Sequence, residues 1–211
     1  MTPPRGILAI FNNVAAGRDA DFDGWFQGEH LAERLAVPGF LYGRRHKSVS
    51  GGAGYFNFYV TESPEVLSSK AYLDRIDNPT PRSRMIMSEV FRNMCRTACR
   101  RDLRVGAARG AFAVTARFFQ PHDLAALTGA LRELANDETI GGEVWSAAEK
   151  PGVIKEEEKL RGGDAKIAHC LMVDVLHRDA AEAVAKRLAA DFAKAEIGVF
   201  QALSHQGDSS A

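Results

Sequence analysis

The 211-residue chain lacks any excess of charge, because 27 basic side chains balance 27 acidic ones. Without a basic surplus there is no electrostatic argument for binding to nucleic acid or to an anionic membrane. The chain also lacks an apolar run as long as a bilayer-spanning helix, which takes about 20 residues. Its first residues show no signal-peptide pattern. We therefore expect a cytoplasmic globular protein with no nucleic-acid partner and no membrane partner.

Cysteine is scarce, with only Cys95, Cys99 and Cys170 in the chain. An odd and widely spaced set is not a disulfide framework. Cys95 and Cys99 lie four residues apart in a predicted strand, so they share one face of it. Because buried thiols behave as small apolar groups, we expect these cysteines to be structural.

Sequence motifs that hold cofactors are also missing. There is no GxGxxG after a predicted strand, no GxxxxGK[ST] and no GxSxG. The six histidines are scattered, with no HExxH and no CxxC among the cysteines. We expect no cofactor and no metal, and the one haem ligand that the pattern offers is His169 on a predicted strand.

Hydrophobic periodicity predicts the order β-α-β-β-α-β twice along the chain. Strands are predicted over 6–14, 40–48, 54–62, 93–103, 110–119, 142–149, 165–176 and 197–206, and helices over 21–36, 63–76, 122–136 and 178–196. Each run matches the ferredoxin-like unit, whose antiparallel sheet carries both helices on one face. The segment "NPTPRSR" after the second helix is predicted to be a loop.

In each predicted unit, the sheet face without helices must pack against another surface. The sheets of the two units can pack against each other as a barrel or a sandwich. We therefore predict an α+β fold in which two tandem ferredoxin-like halves, residues 1–106 and 107–211, form an intrachain pseudo-dimeric α/β barrel. Because the second half supplies the partner sheet, a monomer and a homodimer are both compatible with the sequence. A hydrophilic loop over 150–164 is typical of solvated surface, and a lid is the alternative.

The first helix carries an unusual acid-histidine pair. At 3.6 residues per turn, Glu29 falls near the centre of the apolar stripe that contains Phe22, Trp25 and Phe26, and His30 falls on its shoulder. Burial of a carboxylate within such a stripe costs folding free energy unless the group is paired or protonated. We predict that Glu29 and His30 transfer protons. The alternative is that Glu29 pairs with an arginine of the sheet and only holds the helix in place.

The second half serves as an internal control for this pair. Residues 29–36 align with residues 129–136, so that Glu29 and His30 face Gly129 and Ala130. A pair needed only for folding would be expected in both copies. We therefore predict a single specialised site in the first half.

Aromatic and hydrogen-bonding residues alternate along the strands of the first half, a mixture that suits a small, flat, oxygenated ligand. The predicted substrate-binding residues are Asn12, Trp25, Phe26, Tyr42, Arg44, Tyr59, Asn93 and Arg96. His30 would act as general base or acid, and Glu29 would orient it or itself move the proton. Asn12, Asn93 and an arginine (Arg96 or Arg44) would hold the carbonyl or enolate oxygen.

Three segments, "WFQGEHLAERLAVPGFLYGRRH", "SPEVLSSKAYLDRIDNPTPRSR" and "FRNMCRTACR", resemble bacterial EthD-like members of the dimeric α/β-barrel superfamily. The resemblance covers about residues 6–104, and the second half is similar only in element order. It implies a pocket between helices and sheet that often works by acid-base chemistry without a metal. The superfamily includes cofactor-free monooxygenases, isomerases, polyketide cyclases and haem-binding relatives.

Together, the pair in the first helix and the resemblance predict an enzyme. We expect a cofactor-independent lyase, isomerase or cyclase that acts on a small oxygenated aromatic, lactone or polyketide-like metabolite. One alternative is a cofactor-free monooxygenase of phenolic compounds. Another is a non-catalytic protein that binds a small molecule.

Overall fold

The computed structural model describes residues 4–136, 139–148 and 155–208. Its strands are β1 (Gly6–Val14), β2 (Phe40–Ser50), β3 (Tyr55–Thr61), β4 (Phe91–Val105), β5 (Phe112–Phe118), β6 (Gly141–Ala147), β7 (His169–Val175) and β8 (Glu196–Gly207). They form a closed barrel in the order β1-β3-β2-β8-β5-β7-β6-β4, and every neighbouring pair is antiparallel. The expected α+β barrel is confirmed.

The helices cover the outside of the barrel. Helix α1 consists of Asp19–Trp25, a π-helical turn Phe26–His30, and Leu31–Leu35. The others are α2 (Lys70–Asp77), α3 (Pro81–Met85, extended by a π-helical turn Ile86–Val90), α4 (Leu124–Leu134), α5 (Glu156–Leu160) and α6 (Arg178–Asp191), and a 3-10 turn spans Pro64–Ser68. In the part of the chain with described coordinates, none of these helices has the length and apolarity to cross a membrane.

The alternation of side chains along the strands separates three apolar layers. Ile7, Ala9 and Phe11 of β1 point into the barrel, where they meet aromatic residues such as Phe56 and Trp145. The intervening side chains of β1 face outward and pack beneath α1, α2 and α3. A third layer lies between the barrel and helices α4 and α6. The barrel interior also contains Cys95, Cys99 and Cys170, which confirms that these cysteines are buried small residues.

Two predictions about the segment before β4 are wrong. The helix expected over 63–76 is divided, because Ser69 is extended and caps α2 by accepting a hydrogen bond from Tyr72 N at 3.2 Å. The expected loop "NPTPRSR" contains the start of α3. Thr80 is its N-cap and accepts from Ser83 N at 3.1 Å, and Pro81 fills the first helical position, which lacks an N–H partner in any case.

The charged segment between β6 and β7 is not simply solvated surface. Residues 149–154 lie outside the described part of the chain, but α5 and the residues after it pack against the first half. Glu157 and Arg161 are both buried there. For Glu157 and Arg161 the solvated-surface prediction is therefore wrong, whereas Lys159, Gly162 and Gly163 are exposed.

Candidate active site

The π-helical turn in α1 decides which side chains face the sheet. The Leu31 N–H donates to the Phe26 carbonyl, five residues back instead of four, so one extra residue is accommodated in that turn. As a result the inner face continues from Trp25 to His30 and then to Arg34. The 3.6-residue wheel assumed a regular helix, and for this reason its placement of Glu29 at the centre of the buried stripe is wrong.

Glu29 is half-buried at the edge of α1 and binds the start of α3. It accepts a hydrogen bond from the Thr80 hydroxyl, and its Oε1 lies 3.4 Å from the Ser83 hydroxyl. The Ser83 hydroxyl in turn accepts from Trp25 Nε1 at 3.0 Å. Glu29 therefore links two helices, which is close to the structural alternative, although its partners are hydroxyls and not an arginine.

A pocket lies between α1, the outer face of the first-half sheet, α3 and α5, with a free volume of about 20 Å³. A cavity of this size holds about one water molecule. Its aromatic wall includes Trp25, Phe26, Tyr72 and Phe91. Its polar lining consists of Asn12, His30, Arg34, Asn57, Arg96, Glu157 and Arg161.

His30 is the titratable group at the centre of the aromatic wall. Its ring lies 4.1 Å from Trp25 and 5.2 Å from Phe26, and only 5 % of the residue is exposed. Its Nδ1 has no hydrogen-bond partner among the described residues. Burial, reinforced by the positive charges of Arg34 and Arg161, holds the pKa of His30 well below its usual range. The imidazole is therefore neutral near pH 7, with a lone pair available to accept a proton.

Arg34 provides positive charge on the same face of α1 and is 2 % exposed. Its Nη2 donates to both carboxylate oxygens of Glu157, at 2.5 and 2.7 Å. Burial opposes the charge on Arg34, but the Glu157 carboxylate outweighs it, so the pKa of the guanidinium is raised. Its Nη1 has no acceptor within the described ranges. On the sheet side, Arg96 Nη2 donates to the Tyr72 hydroxyl at 2.6 Å.

Five of the predicted site residues line the pocket: Asn12, Trp25, Phe26, His30 and Arg96. Tyr59 is buried in the same apolar layer, with its ring 6.4 Å from His30, but it is not among the described lining residues. These five residues come from one face of α1 and from strands β1 and β4, which the structure brings together.

Three other predicted residues lie elsewhere. Tyr42 and Arg44 point into the barrel, on the opposite side of the sheet from the pocket, and Arg44 is bound there to Asp174. Asn93 is exposed at a register shift of β4, where its φ of 50° turns the side chain out of the alternation. The prediction that these three bind substrate beside His30 is wrong in position.

The proposed haem ligand also lies outside the pocket. His169 is half-buried on β7, with its Nδ1 3.0 Å from the Ser146 hydroxyl. Within the pocket, the Trp25 ring lies over the His30 imidazole, with the ring centroids 4.1 Å apart. The described residues also contain no group of three or more acidic, histidine or cysteine side chains placed to hold a metal ion.

The sequence interpretation missed Arg34, Glu157 and Arg161. Arg34 follows His30 by four residues, so the two side chains share one face of the helix. Recognition of the π turn would have placed that face against the sheet. Glu157 and Arg161 reach the pocket from the second half, more than a hundred residues away in the chain. No local spacing pattern could have indicated that contact.

Comparison with solved structures shows what this arrangement is similar to. An anthrone oxidase-like protein aligns with a TM-score of 0.63 and 12% identity, over 97% of this chain and 93% of that one. A candidate monooxygenase from Fusobacterium nucleatum subsp. nucleatum ATCC 25586 aligns with a TM-score of 0.62 and 9% identity, over 99% and 96%. A candidate chlorite dismutase aligns with a TM-score of 0.53 and 11% identity, over 95% of each chain.

The chain matches no protein-family model, and no curated protein matches its sequence. At such low identities the structural likeness concerns the fold alone. The chain has the fold of these neighbours, a closed antiparallel barrel with helices on its outside.

Proposed function

We propose that the chain is an enzyme in which His30 removes a proton from a small oxygenated aromatic compound. One observation carries this proposal: a buried, neutral imidazole with an unpartnered Nδ1, among the described residues, sits in an aromatic pocket beside arginines. A general base needs a free lone pair at the working pH, and His30 has one. The flat aromatic wall suits a planar ligand, and α5 must move aside to admit one, because the closed cavity holds about one water molecule.

The arginines of the pocket would stabilise the anion that remains after the proton is removed. Removal of a proton from a hydroxyl group or from a carbon next to a carbonyl leaves negative charge on oxygen. Arg34 Nη1 and the guanidinium of Arg96 lie in the same pocket, where low solvent access strengthens their attraction for an oxyanion. Fixed donors of this kind stabilise the charge as it develops.

An isomerase, lyase or cyclase would complete its reaction by returning the proton elsewhere, and this acid-base reaction is our first proposal. A cofactor-free monooxygenase is the second candidate. It is favoured by the fold likeness to proteins described as anthrone oxidase-like and as a candidate monooxygenase. In that reaction the deprotonated aromatic itself would give electrons to O₂. Both reactions begin with the same proton transfer, and neither requires an added cofactor.

The test uses NMR to measure how fast ring-activated aromatic probes, such as anthrone and naphthols, exchange hydrogen for deuterium in D₂O. An oxygen electrode records oxygen uptake in parallel. His30→Gln is expected to lower exchange by roughly 10²–10⁴-fold, the usual contribution of a general base. Glu29→Gln is expected to retain most of it, because Glu29 does not line the pocket. Oxygen uptake would identify the monooxygenase, and binding without exchange or product would identify a non-catalytic binding protein.

We also propose that residues 1–106 and 107–211 are two ferredoxin-like units of one chain. The strand order is β4-β1-β3-β2 in the first and β8-β5-β7-β6 in the second, so corresponding strands take corresponding positions. Contacts of β2 with β8 and of β4 with β6 join the two. Since one chain closes the barrel, we propose that a monomer suffices, with a homodimer as the alternative.

A further inference from the structure

We infer that the pocket binds an aromatic carboxylate, whose carboxylate group takes the place on Arg34 that Glu157 now occupies. The inference rests on the pocket of the proposed function but not on proton transfer by His30. Glu157 belongs to α5, which comes from the second half of the chain and closes the pocket. It acts as an internal substitute for the acidic group of the ligand.

The Arg34–Glu157 pair uses only one of the two terminal nitrogens of Arg34, so a carboxylate that contacts both would bind more strongly. Both oxygens of Glu157 contact Nη2 of Arg34, and Nη1 is left without an acceptor among the described residues. The strongest arginine–carboxylate pairs use two parallel N–H···O bonds from two nitrogens. A ligand carboxylate that approaches from the pocket can form both bonds, whereas Glu157 forms its contacts with one nitrogen.

The charge of the pocket also favours an anion. Arg161 lies on the same side, with its Nη1 3.7 Å from Glu157, and Asp164 accepts from its Nη2 at 2.6 Å. Among the described lining residues, Arg34, Arg96 and Arg161 supply three guanidinium groups and Glu157 supplies the single carboxylate. A neutral ligand that displaced Glu157 would leave the buried Arg34 unpaired, which is costly, whereas an anionic ligand would not.

Glu157 makes the buried ion pair of α5 with the first half, and α5 is also held by packing of Leu160 on the helix layer and by the Glu156 N–H, which donates to Asp77 Oδ1 at 3.1 Å. Glu156 pairs with Arg84 at 3.1 Å, and Lys155 pairs with Asp77 at 2.5 Å, both in positions open to solvent. Exposed ion pairs contribute little to stability. A five-residue helix is also too short to be stable on its own. Of the ion pairs between α5 and the first half, the pair of Glu157 with Arg34 is the buried one, and it is this pair that an incoming carboxylate replaces as α5 moves aside.

The test is isothermal titration calorimetry of the full chain with benzoate and 1-naphthoate, each compared with its neutral amide. We expect the carboxylates to bind at least about tenfold more tightly than the amides, the fold-change of one lost charge-assisted hydrogen bond. Glu157→Gln removes the internal competitor and should raise carboxylate affinity. Glu156→Gln is the matched control, because it removes a neighbouring carboxylate that faces Arg84, and should leave the affinity unchanged.

Arg34→Gln should abolish the preference for carboxylates. Because that variant leaves Glu157 buried without a partner, the double variant Arg34→Gln/Glu157→Gln is measured as well, and it should also lose the preference. Equal binding of carboxylates and amides, or equal effects of Glu157→Gln and Glu156→Gln, would overturn the inference.

His30→Gln separates this inference from the proposed function, since it should lose proton exchange while the ratio of carboxylate to amide affinity, which depends on Arg34, is retained. Tight carboxylate binding without any exchange in the unmodified protein would overturn the proposed function alone. Exchange into neutral aromatics with no preference for carboxylates would overturn the inference alone.

Discussion

Two histidines of the first half, His30 and His46, are buried in different layers of the molecule. His30 lies in the pocket, and His46 lies inside the barrel with its ring 5.0 Å from Phe56 and 6.0 Å from Phe58. Burial, aided by nearby arginine charge, holds the pKa of each imidazole well below its usual range. Both side chains are therefore neutral in the folded chain at a pH where they would be protonated in the unfolded chain.

This difference predicts acid sensitivity. A histidine with a lowered pKa in the folded state stabilises the fold fully above its unfolded pKa, about 6.5, and that stabilisation is lost as the pH falls below it. Each of the two should lower the free energy of unfolding by up to about 1.4 kcal/mol per pH unit in that range. Urea denaturation of His46→Phe between pH 7 and 5 should show a shallower decline than the unmodified protein.

The control for this prediction is His177→Gln, whose side chain is exposed at the start of α6. It should leave the decline unchanged. A decline in His46→Phe as steep as in the unmodified protein would contradict the assignment of buried neutral histidines.

At the scale of single elements, α1 shows how far the sequence could be interpreted. The helix itself followed from its apolar periodicity, and β1 was predicted with the bounds that the structure has, Gly6–Val14. The face of α1 did not follow, because one π-helical turn rotates His30 and Arg34 inward and Glu29 outward. A π turn is stabilised by tertiary packing and leaves no simple pattern in the sequence.

Other differences have local physical reasons. The prolines of "NPTPRSR" indicated a loop, yet Thr80-Pro81 is also the pattern that starts a helix. The contact of Glu157 with Arg34 joins residues far apart in sequence, and only the closed barrel brings them together. The helix of the site and two of its strands could therefore be predicted from the sequence, and the contact made by α5 could not.

The junction of α1 and α3 provides a test at this scale. The Thr80 side chain caps α3 and donates to Glu29, so Thr80→Val removes both contacts. Loss of an N-cap costs about 0.5–2 kcal/mol, and we expect a decrease of this size in the free energy of unfolding. Ser88→Ala, which removes an exposed hydroxyl that bonds only carbonyls of its own helix, is the control. Equal effects of the two substitutions in urea denaturation would argue against the link.

At the scale of the whole molecule, the two halves are joined inside the barrel as well as along its seams. Arg44 of β2 donates to Asp174 of β7 and to the Gly110 carbonyl. Asp174 is fully buried and also accepts from Gly110 N at 3.1 Å and from Arg109 at 3.4 Å. One carboxylate therefore connects strands of both halves, and the barrel should unfold as a single cooperative unit.

Asp174→Asn tests this connection, because it keeps the shape of the side chain and removes its charge. Breaking a buried ion pair from one side costs about 3–5 kcal/mol, since the partner charge stays buried. Asp191→Asn removes a carboxylate from a partly exposed pair with Arg187, so it should leave the free energy of unfolding nearly unchanged.

Fluorescence of the two tryptophans reports on both environments, since Trp25 lies in the helix layer and Trp145 inside the barrel. In urea, the fluorescence and far-ultraviolet circular dichroism transitions should coincide, and Asp174→Asn should move both to lower denaturant concentration together. If only one transition moved, or if Asp191→Asn had the larger effect, the two halves would be stabilised independently and the pocket would not depend on closure of the barrel.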